Sequence, residues 1–176
     1  MKILTIGTNG FLGSWVNKLL QSEHSNFEIL EIPGKEECDL TEFSEISNYL
    51  KEKSPDVVIN CAAFVGGISY GYKYPVEMLS KNSLMAMNIY KASNDNNVKK
   101  LINPISNCAY PAEFTTYKEE DIFNGPPDKS VFNYALSKRL FIQLGQAYFD
   151  QYTFSSANVV LSNMYGPGDH FLSLIH

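Results

Sequence analysis

The sequence predicts an α/β fold, a doubly wound parallel sheet flanked by helices, and three observations carry that prediction. Short apolar runs alternate along the chain with longer stretches of helical period. The first run, Ile3-Leu4-Thr5-Ile6, passes into a glycine turn that opens a helical stretch. A later run, Val57-Val58-Ile59, is apolar enough for a parallel strand buried on both faces. At 176 residues, with a hydrophobic content of 44%, the chain suits one domain with a core of its own.

Taken in order, a strand over 2–6 leads through Gly7-Thr8-Asn9-Gly10-Phe11-Leu12-Gly13 into a helix over 11–22. Strand, glycine turn and helix form a phosphate-binding layout of the Rossmann type. The glycines allow a tight turn, a close backbone approach to a pyrophosphate and close helix-strand packing, and the helix N-terminus offers unpaired N–H groups to an anion. The spacing is G-x-x-G-x-x-G rather than G-x-G-x-x-G. A strand over 27–32 completes a βαβ unit. Near its end, Glu31 either accepts hydrogen bonds from an adenosine ribose or stands as an exposed strand-end carboxylate. Lys35 offers a charge to a 2′-phosphate, so NAD and NADP both remain open. Asp39 and Leu40 either hold an adenine by edge and face, or Asp39 caps the amphipathic helix that follows over 41–53.

Pro55-Asp56 introduces Val57-Val58-Ile59-Asn60-Cys61-Ala62-Ala63, a strand expected beside the first. The small residues Ala62 and Ala63, followed by Val65-Gly66-Gly67-Ile68, leave room for a dinucleotide at the rim of the sheet. Tyr70, Tyr72 and Tyr74 suggest a polar aromatic loop before a long helix over 75–94. Within that helix Asn82 is an interior amide that needs partners and is placed to bridge backbone toward the ligand face. The next strand covers 98–105, although Pro104 cannot donate to a ladder.

Ser106 follows at that strand's carboxyl end, where ligands of open α/β sheets bind. After a loop over 112–130 rich in Pro, Gly and charge, Tyr134-Ala135-Leu136-Ser137-Lys138 opens a helix running to about residue 151. Tyr134 and Lys138, four apart, share one helical face. An ammonium beside a phenol, with a cationic nicotinamide, lowers a tyrosine pKa toward the operating pH. The last strand covers 154–161, and Asn163-Met164-Tyr165-Gly166-Pro167-Gly168-Asp169 makes a sharp loop after it.

Composition narrows the partners. A formal charge of -5 gives no general attraction to nucleic acid or to an anionic membrane surface, and no window approaches the roughly 18 apolar residues of a spanning helix. Met1-Lys2 leads straight into a strand with no apolar signal region, so a cytoplasmic protein is expected. Cys38, Cys61 and Cys108 are odd in number and lack C-x-x-C spacing, which indicates neither a disulfide framework nor a metal site.

These segments together resemble the extended short-chain dehydrogenase/reductases of the sugar-nucleotide epimerase/dehydratase family. The carrying stretches are Gly7 to Gly13, Ala62-Ala63-Phe64-Val65-Gly66-Gly67-Ile68, Ser106-Asn107-Cys108-Ala109-Tyr110-Pro111, Tyr134 to Lys138, and Asn163 to Asp169. Val-Gly-Gly-Ile and Ser-x-Cys-x-Tyr-Pro point to the branch that epimerises and then reduces a nucleotide-linked 4-keto-6-deoxyhexose. The resemblance implies NADP or NAD as cofactor, held by 7–13, Glu31, Asp39, Leu40, Ala62, Ala63, Tyr134 and Lys138. It implies that Ser106 hydrogen-bonds the ketone, Tyr134 protonates the alkoxide, Lys138 holds the nicotinamide ribose, and Cys108 moves the proton beside the carbonyl. Val65, Gly66 and Asn163 would contact the substrate, with His170 or His176 as the second acid/base. A homodimer is also implied. Members of the family continue well over a hundred residues further, so residues 1–176 are expected to form the NAD(P)-binding domain, with the substrate domain largely absent and little turnover alone. Two other readings stay open: a 4-epimerase or dehydratase with tightly held NAD, for which Cys108 is incidental, and a catalytically silent nucleotide-binding module.

Overall fold

The structure, a computed structural model, describes residues 1–24 and 26–169. Its elements are β1 (Lys2–Ile6), α1 (Phe11–Glu23), β2 (Glu28–Ile32), α2 (Phe43–Lys53), β3 (Val57–Asn60), α3 (Gly67–Lys73), α4 (Pro75–Asp95), β4 (Lys100–Ser106), α5 (Phe132–Tyr152) and β5 (Ser156–Leu161). The five strands form one parallel sheet in the order β2-β1-β3-β4-β5. The chain runs outward from β1 to β2 and then returns to β3 on the other side of β1. The switch point, and so the crevice for a ligand, lies at the carboxyl ends of β1 and β3.

Right-handed crossovers in opposite directions put the helices on both faces. Helix α1 packs on β1 and β2, while α2, α4 and α5 pack side by side on the other face. The core sits under those three helices, where Leu4, Ile6, Val58, Leu101 and Ile105 of the sheet meet Ile46, Leu50, Ala86, Ile89, Tyr90 and Phe141. On the opposite face of β3, Val57 and Ile59 are only half-buried, because α1 covers the β1-β2 end of the sheet. The expectation of full burial on both faces therefore holds for one face of β3.

Tyr90 anchors α5 to this core. Its hydroxyl donates to the Phe141 carbonyl at 2.9 Å and accepts from the Asn103 amide at 3.1 Å, satisfying polar groups that burial would otherwise penalise. Pro104 fits within β4 because pairing with β3 ends at Ile59 and Ile102, two residues earlier. The N–H of Leu101 goes to Ser155 of the β5 side and that of Lys100 to Asp56 of the β3 side. By strand alternation the donor that Pro104 lacks would face the side where β3 has already ended.

Three local expectations are corrected. The stretch with Tyr70 and Tyr72 is not a loop but the short helix α3, which Tyr70 pins by edge-on contact with Phe64 and a hydrogen bond to Glu77. Tertiary packing of one ring outweighs the poor helix propensity of Gly67 and Gly71. Asp39 is not the cap of α2: the cap residue is Glu42, and Asp39 Oδ1 instead accepts from the Thr41 N–H and hydroxyl at 3.0 and 2.7 Å, a local turn. Strand β3 stops at Asn60, whose side chain accepts from the Ala62 N–H at 3.2 Å and turns the chain outward before the alanines.

Candidate functional site

The glycine loop is a rigid bracket. The N–H groups of Gly7 and Thr8 both donate to the Ile32 carbonyl, at 2.7 and 3.3 Å, and Asn9 donates to Pro33 at 3.1 Å. The loop is thereby sewn to the end of β2. Gly7 has φ +84°, and a Cβ there would lie 2.9 Å from the Ala62 nitrogen, so both conformation and contact demand glycine. At Gly13 a Cβ would come within 2.1 Å of the Gly7 carbonyl oxygen, so α1 packs onto the loop only through glycine. The cap residue Gly10 gives no side-chain cap, and among the described residues the N–H groups of Phe11 and Leu12 take no protein acceptor. Both residues line the crevice, so two unpaired donors at a helix N-terminus face its interior.

The crevice holds about 680 Å³, enough for an extended dinucleotide arm. One end is walled by Gly34, Lys35, Cys38, Asp39, Leu40 and Thr41, the middle by Gly7, Gly10, Phe11, Leu12, Ala62, Ala63, Phe64 and Val65, and the far end by Ser106, Tyr134, Lys138 and Asn163. Lys35 pairs with Asp39 at 2.9 Å. The residues assigned from sequence at these places are thus brought to one cavity. Thr8, Asn9, Gly13, Glu31, Gly66 and Cys108 do not line it, and of these Asn9, Glu31 and Gly66 are exposed outside it. Glu31 in particular is turned to the glycine loop: its Oε2 accepts from the Thr8 hydroxyl at 3.0 Å and the Asn17 amide at 2.8 Å. It braces the loop from outside the cavity. Gly66 lies under Tyr70, whose ring leaves no room for a side chain there.

Tyr134 and Lys138 lie on the crevice face of α5, as their spacing requires. Arg139, one residue on, donates to the Ala109 carbonyl at 2.7 Å and locks α5 against the turn that carries Ser106 and Cys108. Lys138 is only 5% exposed, and among the described residues no carboxylate pairs with it. Burial brings its pKa down to about 8, against the opposing pull of the Cys108 and Cys61 thiols. A buried cation without a counter-ion and aimed at a cavity suits the hydroxyl oxygens of a ribose. The expected lowering of the Tyr134 pKa needs the nicotinamide's positive charge as well as Lys138. The ammonium lies over the ring, 5.4 Å from its centroid, and burial, reinforced by Cys108, pushes the phenol upward. Lowering it requires further positive charge from a ligand.

The Ser106 hydroxyl accepts from the Cys108 N–H at 3.4 Å. Burial raises the Cys108 pKa, while Ser106 and Lys138 act in the opposite sense. Cys61, which the motifs did not single out, does line the crevice, and burial pushes its thiol up to about 11. Lys81 and Met85 of α4 are further wall residues hidden from motif reading. Asn82 does bridge as expected: its amide accepts from the Phe64 N–H at 2.9 Å and donates to the carbonyls of Phe64 and Met78 at 2.9 and 2.8 Å. His170 and His176 lie outside the described residues. Among the described residues no helix is long and apolar enough to cross a membrane.

The chain is similar to known proteins over nearly its whole length. A GDP-L-colitose synthase of Yersinia pseudotuberculosis is 34% identical over 174 residues, spanning 97% of this chain and 55% of the relative. A GDP-L-fucose synthase of Dictyostelium discoideum is 30% identical, spanning 96% of this chain and 53% of the relative. Among solved structures, a GDP-D-glycero-L-gluco-heptose synthase from Campylobacter jejuni, crystallised in the presence of NADPH, superposes with a TM-score of 0.89 at 26% identity, over 97% of this chain and 49% of its own. The chain spans about half the length of the curated relatives it matches. The model of the NAD dependent epimerase/dehydratase family matches residues 3–175, and the chain belongs to that family.

Proposed function

We propose that residues 1–176 form an NAD(P)-binding domain of a sugar-nucleotide epimerase/reductase acting on a nucleotide-linked 4-keto-6-deoxyhexose. The observation that carries this is the convergence of Ser106, Tyr134 and Lys138 on one end of a crevice whose middle is the glycine loop. The names of the relatives, GDP-L-fucose and GDP-L-colitose synthases, support the substrate class. NADP or NAD, when bound, supplies the two-electron redox chemistry. The Phe11 and Leu12 N–H groups would hold its pyrophosphate and Lys138 its ribose, while Asp39, Leu40, Ala62 and Ala63 would wall its adenosine arm.

The chain's own residues then divide the proton work. The Ser106 hydroxyl donates to the ketone oxygen, and Tyr134, kept protonated by burial, gives its proton to the developing alkoxide. Cys108 moves the proton beside the carbonyl, with Ser106 and Lys138 favouring its thiolate against burial. Val65 and Asn163, which line the crevice, contact the sugar, with Gly66 beside Val65 at the exposed rim outside the lining. A 4-epimerase or simple reductase, in which Cys108 is incidental, is favoured by one observation: Cys108, unlike Ser106, is not among the residues that line the crevice. A cytoplasmic homodimer belongs to the same proposal, with exposed Leu84 and Met87 of α4 as apolar contacts for a second copy.

Calorimetry with NADP(H) and NAD(H), followed by turnover of GDP-4-keto-6-deoxymannose, tests the proposal. Dinucleotide binding is expected. In a form with turnover, Tyr134→Phe abolishes reduction, and Cys108→Ser suppresses solvent-deuterium incorporation beside the ketone while reduction persists. Absence of dinucleotide binding by a folded sample overturns the assignment. Undiminished deuterium exchange in Cys108→Ser moves it to the second reading.

A further inference from the structure

Among the described residues three lysines line the crevice, and two have evident places: Lys35 is paired with Asp39 at the adenosine end, and Lys138 is buried at the chemical end. The third, Lys81, belongs to a rim cluster that the catalytic proposal does not use. Its ammonium sits 4.3 Å from the centroid of the Phe64 ring and 3.0 Å from Glu77 Oε2. The same carboxylate oxygen accepts from the Tyr70 hydroxyl at 3.2 Å, and Tyr70 meets Phe64 edge-on at 5.7 Å. Asn82 clamps both backbone groups of Phe64, so the platform under Lys81 is fixed. Phe64 lies two residues past Ala62, whose backbone abuts Gly7, and Gly7, Ala62, Phe64 and Lys81 all line the crevice, so Lys81 belongs to the same wall as the glycine loop.

Among the described residues, the glycine-loop part of that wall carries no cationic side chain of its own. The glycine loop, 7–13, has no Lys or Arg among its residues, and its Thr8 hydroxyl is already given to Glu31, so it offers an anion only neutral donors, backbone N–H groups and the Asn9 amide. An ammonium has three donors, of which Glu77 takes one. The Lys81–Glu77 pair is a helical i,i+4 pair with both side chains near half exposure, 43% and 45%, so water weakens it and exchange of partner costs little.

We propose that Lys81 is a diphosphate-binding residue that passes from Glu77 to a phosphate oxygen when a ligand enters the crevice. Glu77 and Tyr70 park the ammonium over Phe64 until then. The inference rests on the dinucleotide and sugar-nucleotide reading above. The diphosphate belongs either to the cofactor or to the nucleotide-sugar, and the two sources are separable.

The test is calorimetry of NADP+ and, separately, of GDP-mannose on the wild-type chain and on Lys81→Met, Lys81→Arg and Glu77→Gln. Circular dichroism and thermal unfolding check each variant. Loss of one charged hydrogen bond at a half-exposed site should weaken binding about tenfold in Lys81→Met. Lys81→Arg should retain affinity, and Glu77→Gln, which frees the ammonium, should bind as tightly as wild type or tighter. Weakening for NADP+ alone assigns the cofactor pyrophosphate, and weakening for GDP-mannose alone assigns the substrate diphosphate. Unchanged affinity for both ligands in folded Lys81→Met overturns the role of Lys81 alone. Equal weakening in Glu77→Gln and Lys81→Met overturns it also, because the pair then acts only as a brace. A wild-type chain that binds neither ligand overturns the parent reading and this inference together.

Discussion

Gly13→Ala sets a favourable local effect against an unfavourable tertiary one. In a helix, alanine is preferred over glycine by about 1 kcal/mol. Here the new methyl would lie 2.1 Å from the Gly7 carbonyl oxygen, 2.7 Å from its carbon and 3.1 Å from the Thr8 Cα. Ordinary contact begins near 3.4 Å, so α1 and the loop must separate by about 1.3 Å. The obstacle is backbone, and that backbone is tied to Ile32 and Pro33, so no side chain can swing away. Overpacking of this severity costs about 3 kcal/mol, the upper end of the usual range, leaving a net loss of roughly 2 kcal/mol. For a chain of this size that lowers Tm by roughly 4–8 °C. Gly71→Ala is the control, since a Cβ there meets nothing within 4 Å. Thermal unfolding of both variants, with dinucleotide titration, gives the answer. A Gly13→Ala protein as stable as wild type, or one that binds dinucleotide undiminished, would refute the close-packing account.

Lys138→Met should stabilise the ligand-free chain at pH 7 while weakening dinucleotide binding. The lysine pKa, about 8 folded against 10.5 free, means that the unfolded state binds the extra proton. The penalty is therefore present in full below pH 8 and is relieved as pH rises toward 10.5, with an upper size of roughly 3 kcal/mol. The Tm difference between wild type and variant, followed across that window, isolates Lys138 from Cys61 and Tyr134, whose raised pKa values act in the other direction. A difference that does not shrink with pH counts against a buried unpaired cation. Asn82→Ala removes three hydrogen bonds that hold the Phe64 backbone and α4, at a cost of roughly 3 kcal/mol. Hydrogen exchange at the Phe64 amide should rise by orders of magnitude, and unchanged protection would show that the clamp is dispensable.

Much of the fold was legible because it depends on neighbours in sequence. Periodicity placed all five strands and four of the five helices, and the βα alternation implied a parallel sheet. The site was legible where a motif carries its own geometry. Tyr134 and Lys138 share a helix face by spacing alone, and the glycine loop follows β1 by chain order. Reading was incomplete where a side chain has several partners within reach, near or distant in sequence. Glu31 was read as a ribose acceptor or an exposed strand-end carboxylate, and what the spacing did not show is that Thr8 and Asn17 both reach its Oε2. Asp39 looked like a cap, but Thr41 satisfied it two residues before the helix begins.

The sequence by itself determined the layers of the protein, the family's motifs and the order in which they meet the sheet, because apolar period and turn chemistry are local. Only the tertiary structure decided which side chains reach the cavity. Cys61 reaches it where β3 ends, while Cys108, whose N–H donates to the Ser106 hydroxyl, does not line it. Lys81 emerges at the rim because Asn82 draws Phe64 beneath it. The same burial that brings Lys138 to the crevice lowers its pKa and raises that of Tyr134. Desolvation depends on everything packed around a group, and four-residue spacing carries no record of it.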